Sequence, residues 1–374
     1  MQKTAKPKHV IVDGSRIAIE AMARAGADSF IGYPITPANL LYHYAGSRFP
    51  LMLPAPDEIT VLQWMSGLSA CGKIPVTATS FPGFALMLES VNMAFMMELP
   101  MVIILVQRLG PATGTATCGA QGDIALLRGM ISGGHQLPVL CPSDFSDCWT
   151  LSARAVSLAV KLRTPVILLT SKEVMMTRKS FDPAVLEEIK PVKRSSYSEG
   201  KPYLPYRAGE DLVPEFLPLS SKQGQVRLTA STHDRQGILQ HSSDEALANT
   251  RRLEEKSRQH LSAYTFYDLD QQENAQTLLV SYGVSAAASR DAVNYIRESG
   301  RPVSLLIIKT IFPVPDVYYE IIDSYKKVII IEENLNAQYA KAMFGEKLPA
   351  RIRSVGAIGK MIGRDDILKE EAGL

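Results

Sequence analysis

The chain has only four cysteines, Cys71, Cys118, Cys141 and Cys148, and no two stand in the C-x-x-C spacing that zinc and iron–sulfur sites use. Cys141 and Cys148 are near neighbours, yet the strand-to-helix turn expected between them brings no third or fourth ligand. Buried free thiols are the expectation, and any redox carrier working with this protein belongs on another chain. Charge of one sign is also missing: 40 basic and 38 acidic residues leave a formal net charge of +2. There is no basic stripe for nucleic acid and no acidic tail. The longest apolar stretch, Met101–Val106, is far too short to span a bilayer. The basic start Met1–Lys6 leads into no apolar signal core. A cytoplasmic protein is expected. Neither G-x-G-x-x-G nor G-x-x-x-x-G-K-[ST] follows a strand-like run, which argues against dinucleotide and P-loop readings.

What is present is ordinary globular material, 46% hydrophobic and 21% charged over 374 residues, enough for two or three cored domains. From Val10 to Thr177, helical and strand patterns alternate. Ile59–Ala70 carries Val61, Leu62, Met65 and Leu68 at helical spacing. Pro75–Thr79 is a β-branched strand, Phe84–Met97 a Met-rich helix, and Pro100–Gln107 an apolar strand of the doubly buried kind. Leu137–Cys141, a helix over Asp147–Leu162 and a strand over Thr164–Thr170 complete a parallel sheet covered on both faces. Arg178–Gln272 differs in texture and reads as a long ordered arm, with one charged helix over Glu245–His260. The α/β rhythm returns with strands at Thr277–Tyr282, Val303–Lys309 and Lys327–Glu332. The expected division is 1–180, a connecting arm 181–272, and a smaller α/β domain 273–374.

The run Gly32-Tyr33-Pro34-Ile35-Thr36-Pro37 follows the short apolar strand Ser29–Ile31. The carboxyl end of a parallel strand is where ligands bind, and two φ-restricted prolines hold the Thr36 hydroxyl there. Asp57-Glu58 opens the Ile59–Ala70 helix and has two readings: a cap with a dipole-complementing acid, or a carboxylate for a cofactor nitrogen or acid–base work. Arg108 ends a buried strand, where its planar fork suits a carboxylate; a snorkelling ion pair is the alternative. The glycine-bearing loop Gly110–Asp123 resembles a mobile lid more than a phosphate cradle. His135 reads as a solvated loop histidine, and Met93, Met96 and Met97 as packing.

Together, Gly32–Pro37, Asp57-Glu58, Thr77–Ser80, Gln107-Arg108 and Gly119–Asp123 resemble the α subunit of the 2-oxoacid:ferredoxin oxidoreductases. Leu204–Arg207, Glu210-Asp211 and Thr232–Asp234 are similar to the 2-oxoglutarate branch, and Glu332–Leu335 fits the last strand and its turn. The resemblance implies a thiamine-diphosphate pyrimidine-type parallel-sheet domain followed by a smaller transketolase-C-terminal-like α/β domain. It implies oxidative decarboxylation of 2-oxoglutarate to succinyl-CoA, with electrons passed to a low-potential acceptor such as ferredoxin. Pyruvate, branched-chain and aryl 2-oxoacids are the rival substrates, and a non-catalytic scaffold the rival role. It implies thiamine diphosphate shared with a β subunit, Mg2+ and iron–sulfur clusters on partner subunits, and γ and ferredoxin-like δ subunits besides. Carried over by residue, Glu58 hydrogen-bonds the aminopyrimidine and Pro34 borders the cofactor. Arg108 and Thr36 hold the carboxylate and keto group of the 2-oxoacid. Two departures stand near the pocket: Ser80-Phe81-Pro82-Gly83 where the family has Ser-Gly-Pro-Gly, and Leu109–Gly114 where it has Gly-Gly-Pro-Ser-Thr-Gly.

Overall fold

In strand β5 every residue from Met101 to Gln107 is buried, and its side chains alternate between two cores. Met101, Ile103 and Leu105 join one apolar cluster, while Val102, Ile104 and Val106 join the other. That period of two with both faces apolar is what a central strand under two helical layers requires. The computed structural model describes residues 9–194, 197 and 202–373; the expectation for Met1–Lys6 falls outside them, as does part of Lys190–Pro205. In chain order the strands are β1 (Val10–Val12), β2 (Ser29–Gly32), β3 (Leu51–Pro54), β4 (Pro75–Thr79), β5 (Met101–Gln107), β6 (Val139–Leu140) and β7 (Pro165–Ser171). Then follow β8 (Lys179–Phe181), β9 (Tyr267–Asp270), β10 (Thr277–Tyr282), β11 (Val303–Ile308), β12 (Thr310–Phe312), β13 (Lys327–Glu332) and β14 (Ile352–Gly356).

A seven-stranded sheet runs in the order β12-β6-β7-β5-β4-β2-β3, and a five-stranded sheet in the order β14-β13-β10-β11-β9. Within these two sheets pairing is parallel except at β12 and β9, which run antiparallel to their neighbours, and β1 and β8 form a separate antiparallel pair. The short strands β3, β9, β12 and β14 carry no sequence signal strong enough to be expected. β12 is sequentially part of the second α/β unit yet completes the edge of the first sheet, bonding β6. Leu278, Val280, Tyr282 and Leu306 of the second sheet share a core with Ile103 and Leu105 of the first. Its other face forms a separate core of Leu279, Leu305, Ile307, Ile329 and Ile331 under the helix Ser285–Glu298.

The arm has one long helix, Asp244–His260, begun by Ser243, whose hydroxyl accepts the Ala246 N–H at 3.3 Å. Elsewhere it lies on the first unit through backbone bonds, Val192 N–H to the Ala25 carbonyl at 2.8 Å and Leu219 N–H to that of Ala70 at 3.0 Å. The helix is pinned by Glu98, whose carboxylate takes Lys256 Nζ at 2.6 Å and also Arg252. Burial opposes the charge of Glu98, but Lys256 and Arg252 outweigh it and hold the carboxyl below the ordinary 4.5. That contribution is complete above pH 4.5 and is lost as pH falls through the lowered folded value. Glu98→Gln would leave two buried cations facing a neutral amide. It is expected to cost ~3–5 kcal/mol, seen as a lower melting midpoint at neutral pH.

Cys141 and Cys148 are buried free thiols as expected; Cys71 is exposed and Cys118 half-exposed, because both lie on turns outside the cores. No described helix is long and apolar enough to cross a membrane.

Candidate active site at the carboxyl edge of the larger sheet

The larger sheet reverses its winding at β2, with β3 on one side and β4, β5, β7 and β6 on the other. Such a switch point opens a crevice beyond the carboxyl ends of the strands, because the flanking connections leave in opposite directions. Thr36 follows β2, Glu58 follows β3, Gly83 follows β4 and Arg108 follows β5. Adjacent strand ends lie ~4.8 Å apart, so the four segments fit within roughly 14 Å.

Arg108 reaches across the end of β4 and donates from Nη1 to the Thr36 carbonyl at 2.7 Å. It is 8% exposed, and its Nε is buried with no hydrogen-bond partner. The snorkelling reading is therefore excluded: Arg108 makes no ion pair within the described residues, and its head is inside the protein rather than in water. Thr36 is half-buried, Pro37 buried, and Tyr33 and Pro34 exposed on the outer side of the same loop.

The helix Glu58–Ala70 starts where Asp57, in extended backbone, accepts the Thr60 N–H at 2.7 Å. The cap and the acid behind it have separate roles. Asp57 closes the helix, while Glu58 is buried and its carboxylate has no hydrogen-bond partner among the described residues. Gly83 makes this burial possible. A Cβ there would lie 2.3 Å from Thr79 Oγ1 and 2.6 Å from Glu58 Oε1. Gly83→Ala must push the carboxylate aside; it is expected to cost ~1–3 kcal/mol as overpacking and to lower the melting midpoint. Phe81, the unusual ring at this turn, is the first residue of the helix Phe81–Met96, is half-buried, and leaves Pro82 at a position that helix starts accept.

The loop after Arg108 is fastened at both ends. Leu109 N–H donates to the Cys118 carbonyl at 2.8 Å, and Thr115 N–H to that of Leu109 at 2.9 Å. Gln121 bolts the far end to the second sheet. Its Nε2 donates to the Tyr282 carbonyl at 2.8 Å, and its Oε1 accepts from Ser285 Oγ at 2.5 Å and Glu333 N–H at 2.8 Å. Its backbone exchanges bonds with Glu333 O at 2.9 Å and Asn334 Nδ2 at 3.0 Å. Asp123, at the loop's end, donates its N–H to Gln107 Oε1 at 3.3 Å. Burial pushes its carboxyl up to about 7 against the pull of the Arg108 guanidinium. A lid reading from glycine content overlooks these anchors, because a single amide between glycines carries no visible sign of its partners.

The structure brings Thr36, Glu58 and Arg108, singled out from the sequence, to the same strand-end crevice; Gly83 beside Glu58 and the anchoring role of Gln121 carried no sequence signal. His135 stands apart, its Nδ1 3.1 Å from Glu254 Oε2 and its ring against Phe95. Met96 and Met97 pack on the core. A cavity of about 560 Å3 lined by Arg16, Glu20, Tyr44, Trp149 and Phe181 also lies elsewhere. Its Arg24 and Arg48 are both paired with Glu20.

Comparison with known proteins gives this geometry a family. Residues 20–252 match the family described as pyruvate flavodoxin/ferredoxin oxidoreductase, thiamine diphosphate-binding. Residues 275–370 match pyruvate:ferredoxin oxidoreductase core domain II. The chain is 28% identical to 2-oxoglutarate synthase subunit KorA of Methanocaldococcus jannaschii over 96% of this chain and 97% of that protein. It is 30% identical to ketoisovalerate oxidoreductase subunit VorB of Methanothermobacter thermautotrophicus, over 86% of this chain and 85% of the other. A solved 2-oxoglutarate:ferredoxin oxidoreductase from Magnetococcus marinus superposes with a TM-score of 0.91 at 24% identity, covering 100% of this chain and 68% of that one. That last likeness speaks to the fold, a thiamine-diphosphate-type parallel-sheet domain with a second α/β domain behind it. The chain belongs to the pyruvate flavodoxin/ferredoxin oxidoreductase family, as a thiamine-diphosphate-binding subunit of a 2-oxoacid oxidoreductase.

Proposed function

We propose that this chain is the α subunit of a 2-oxoglutarate:ferredoxin oxidoreductase, forming succinyl-CoA, and that Glu58, Arg108 and Thr36 are its working residues. The observation that carries this is the Arg108–Thr36 contact at a switch point that also holds a buried, unpartnered carboxylate. The substrate assignment follows the 2-oxoglutarate synthase relatives. The similarity to a ketoisovalerate oxidoreductase subunit supports a second reading, a branched-chain 2-oxoacid.

Thiamine diphosphate, when bound, supplies the carbanion chemistry of decarboxylation. The residues fit its aminopyrimidine end: Glu58 Oε1 lies beside Gly83, where a Cβ would close the space. Glu58 there accepts a ring hydrogen bond and holds the proton that the pyrimidine must exchange, with Pro34 at the outer border. Arg108 pairs with the substrate's C1 carboxylate, and the Thr36 hydroxyl donates to the keto oxygen. The chain's share is orientation and charge in a site shielded from water. A partner β subunit is proposed to hold the diphosphate through Mg2+, with iron–sulfur clusters on partner chains and γ and ferredoxin-like δ subunits completing a cytoplasmic complex. The proposed division remains 1–180 for the cofactor side, 181–272 as arm and 273–374 as second domain.

Co-expression with the partner subunits, followed by assay of 2-oxoacids with coenzyme A and a viologen dye, tests the reading. Fastest turnover of 2-oxoglutarate supports it, and preference for a branched-chain acid selects the second reading. An assembled complex that turns over none of them makes the chain a scaffold.

A further inference from the structure

Two buried atoms of opposite charge beside the crevice have no hydrogen-bond partner: Arg108 Nε and Asp123 Oδ2. Arg108 is 8% exposed and Asp123 is 5% exposed. The Asp123 backbone is tied to Gln107, the chain neighbour of Arg108, at 3.3 Å, so the acid is fastened to the strand end that carries the guanidinium. Among the described residues no ion pair within 4.0 Å consumes either group, although Arg108 exerts its charge on Asp123. We propose that Asp123 is a positioning residue for Arg108, tempering the charge that Arg108 offers to a substrate carboxylate, so that substrate and a proton on Asp123 bind together. This rests on the reading of Arg108 as the carboxylate ligand.

A 2-oxoacid carboxylate placed on Arg108 sets a second anion near Asp123, and neighbouring carboxylates disfavour each other's charge. Ionised Asp123 competes with the substrate for the guanidinium; protonated Asp123 does not. Since burial already holds the Asp123 carboxyl at about 7, this competition is switched on within the working pH range. Substrate affinity is highest below pH 7 and falls as pH rises through that value, with proton uptake on binding above it.

Among the described residues Arg108 is the charge that acts on Asp123, while Glu173 packs on the same loop at Gly119 with its Oε2 buried and unpartnered. Gln107 is neutral, and so is Gln338 of the packed helix Gln338–Phe344, whose Oε1 accepts Ala125 N–H at 3.0 Å. Across Gln121 lies Glu333, whose carboxyl burial pushes up to about 7 with the charge of Glu173 adding to it. Glu333 titrates in the same range and is the necessary control. Its carboxylate accepts Ile362 N–H at 3.0 Å.

The experiment is calorimetry on the assembled complex with 2-hydroxyglutarate, which keeps both carboxylates and lacks the keto group. Buffers of different ionisation heat report proton uptake. The wild type is expected to take up about half a proton near pH 7.5 and to bind roughly tenfold more weakly at pH 8.5 than at pH 6, the factor for one unit of coupling. In D123N the uptake and the pH step should vanish, with affinity near the wild-type acid value; in E333Q both should persist. KM for the 2-oxoacid should follow the same pattern while kcat changes less. Absence of proton uptake in the wild type overturns the inference without any variant, as does a step that survives D123N or disappears in E333Q. If R108A binds 2-hydroxyglutarate like the wild type, the assignment of Arg108 itself fails, which is a separate outcome.

Discussion

Arg108→Ala is expected to reduce kcat/KM for 2-oxoglutarate by about 30- to several thousand-fold, the equivalent of ~2–5 kcal/mol. The magnitude follows from where the group sits. Its head is buried at the strand end, one nitrogen spent on the Thr36 carbonyl at 2.7 Å and another buried without a partner. An anion entering this crevice loses water and gains a charge-assisted, forked donor that no other described side chain is seen to replace. Arg108→Lys should recover only part of the loss. A lysine presents a point charge on a flexible stem and cannot bond Thr36 and a carboxylate with fixed planar geometry. The measurement is steady-state kinetics of the co-purified complex, with assembly checked by size. Turnover of Arg108→Ala equal to wild type would remove the residue from the site. Loss of Arg108 also takes from Asp123 the cation that pulls its carboxyl down, so any pH dependence of the variant's remaining activity should move above 7.

Most of the proposed site was legible because strand ends announce themselves. Ser29–Gly32, Pro75–Thr79 and Met101–Gln107 are apolar runs cut off by proline, serine or arginine, and each cut-off coincides with a loop at the crevice. Leu51–Pro54 escaped notice because an edge strand of three half-buried residues and an exposed proline has neither the length nor the alternation to stand out. β12 escaped for another reason: Thr310–Phe312 follows directly on a longer strand and belongs to the other sheet, a fact of tertiary pairing alone. The arm was legible as non-helical until Glu245, but not its anchoring. Arg163, in left-handed backbone with φ 48°, donates to the carbonyls of Pro205, Pro214 and Glu215, contacts between residues 42 to 52 positions apart. Motif comparison could find Asp57-Glu58, yet only coordinates separate the cap from the buried carboxylate, since both are acids at a helix start.

Glu58→Gln carries the other large effect, and it should fall on a different step. The glutamine keeps the size of the side chain and its place against Gly83 and Thr79, so folding and 2-oxoacid binding through Arg108 should be little changed. What is lost is a carboxyl group at a buried position. The amide can turn either a weak acceptor or a donor toward the aminopyrimidine, and neither stabilises the proton shift that a carboxylate supports. Exchange of the thiazolium C2 proton for deuterium, quenched and read by NMR in the assembled complex, should slow by about 10²- to 10⁴-fold, the range for a positioned acid–base group. KM for the 2-oxoacid should move far less than kcat, because Arg108 and Thr36 are untouched. Gly83→Ala supplies the matching test by geometry: its Cβ displaces the same side chain without changing its chemistry. Slow exchange in both variants ties the proton step to the position as well as the charge of Glu58. Wild-type exchange in Glu58→Gln would take the residue out of the mechanism, whatever happens at Arg108.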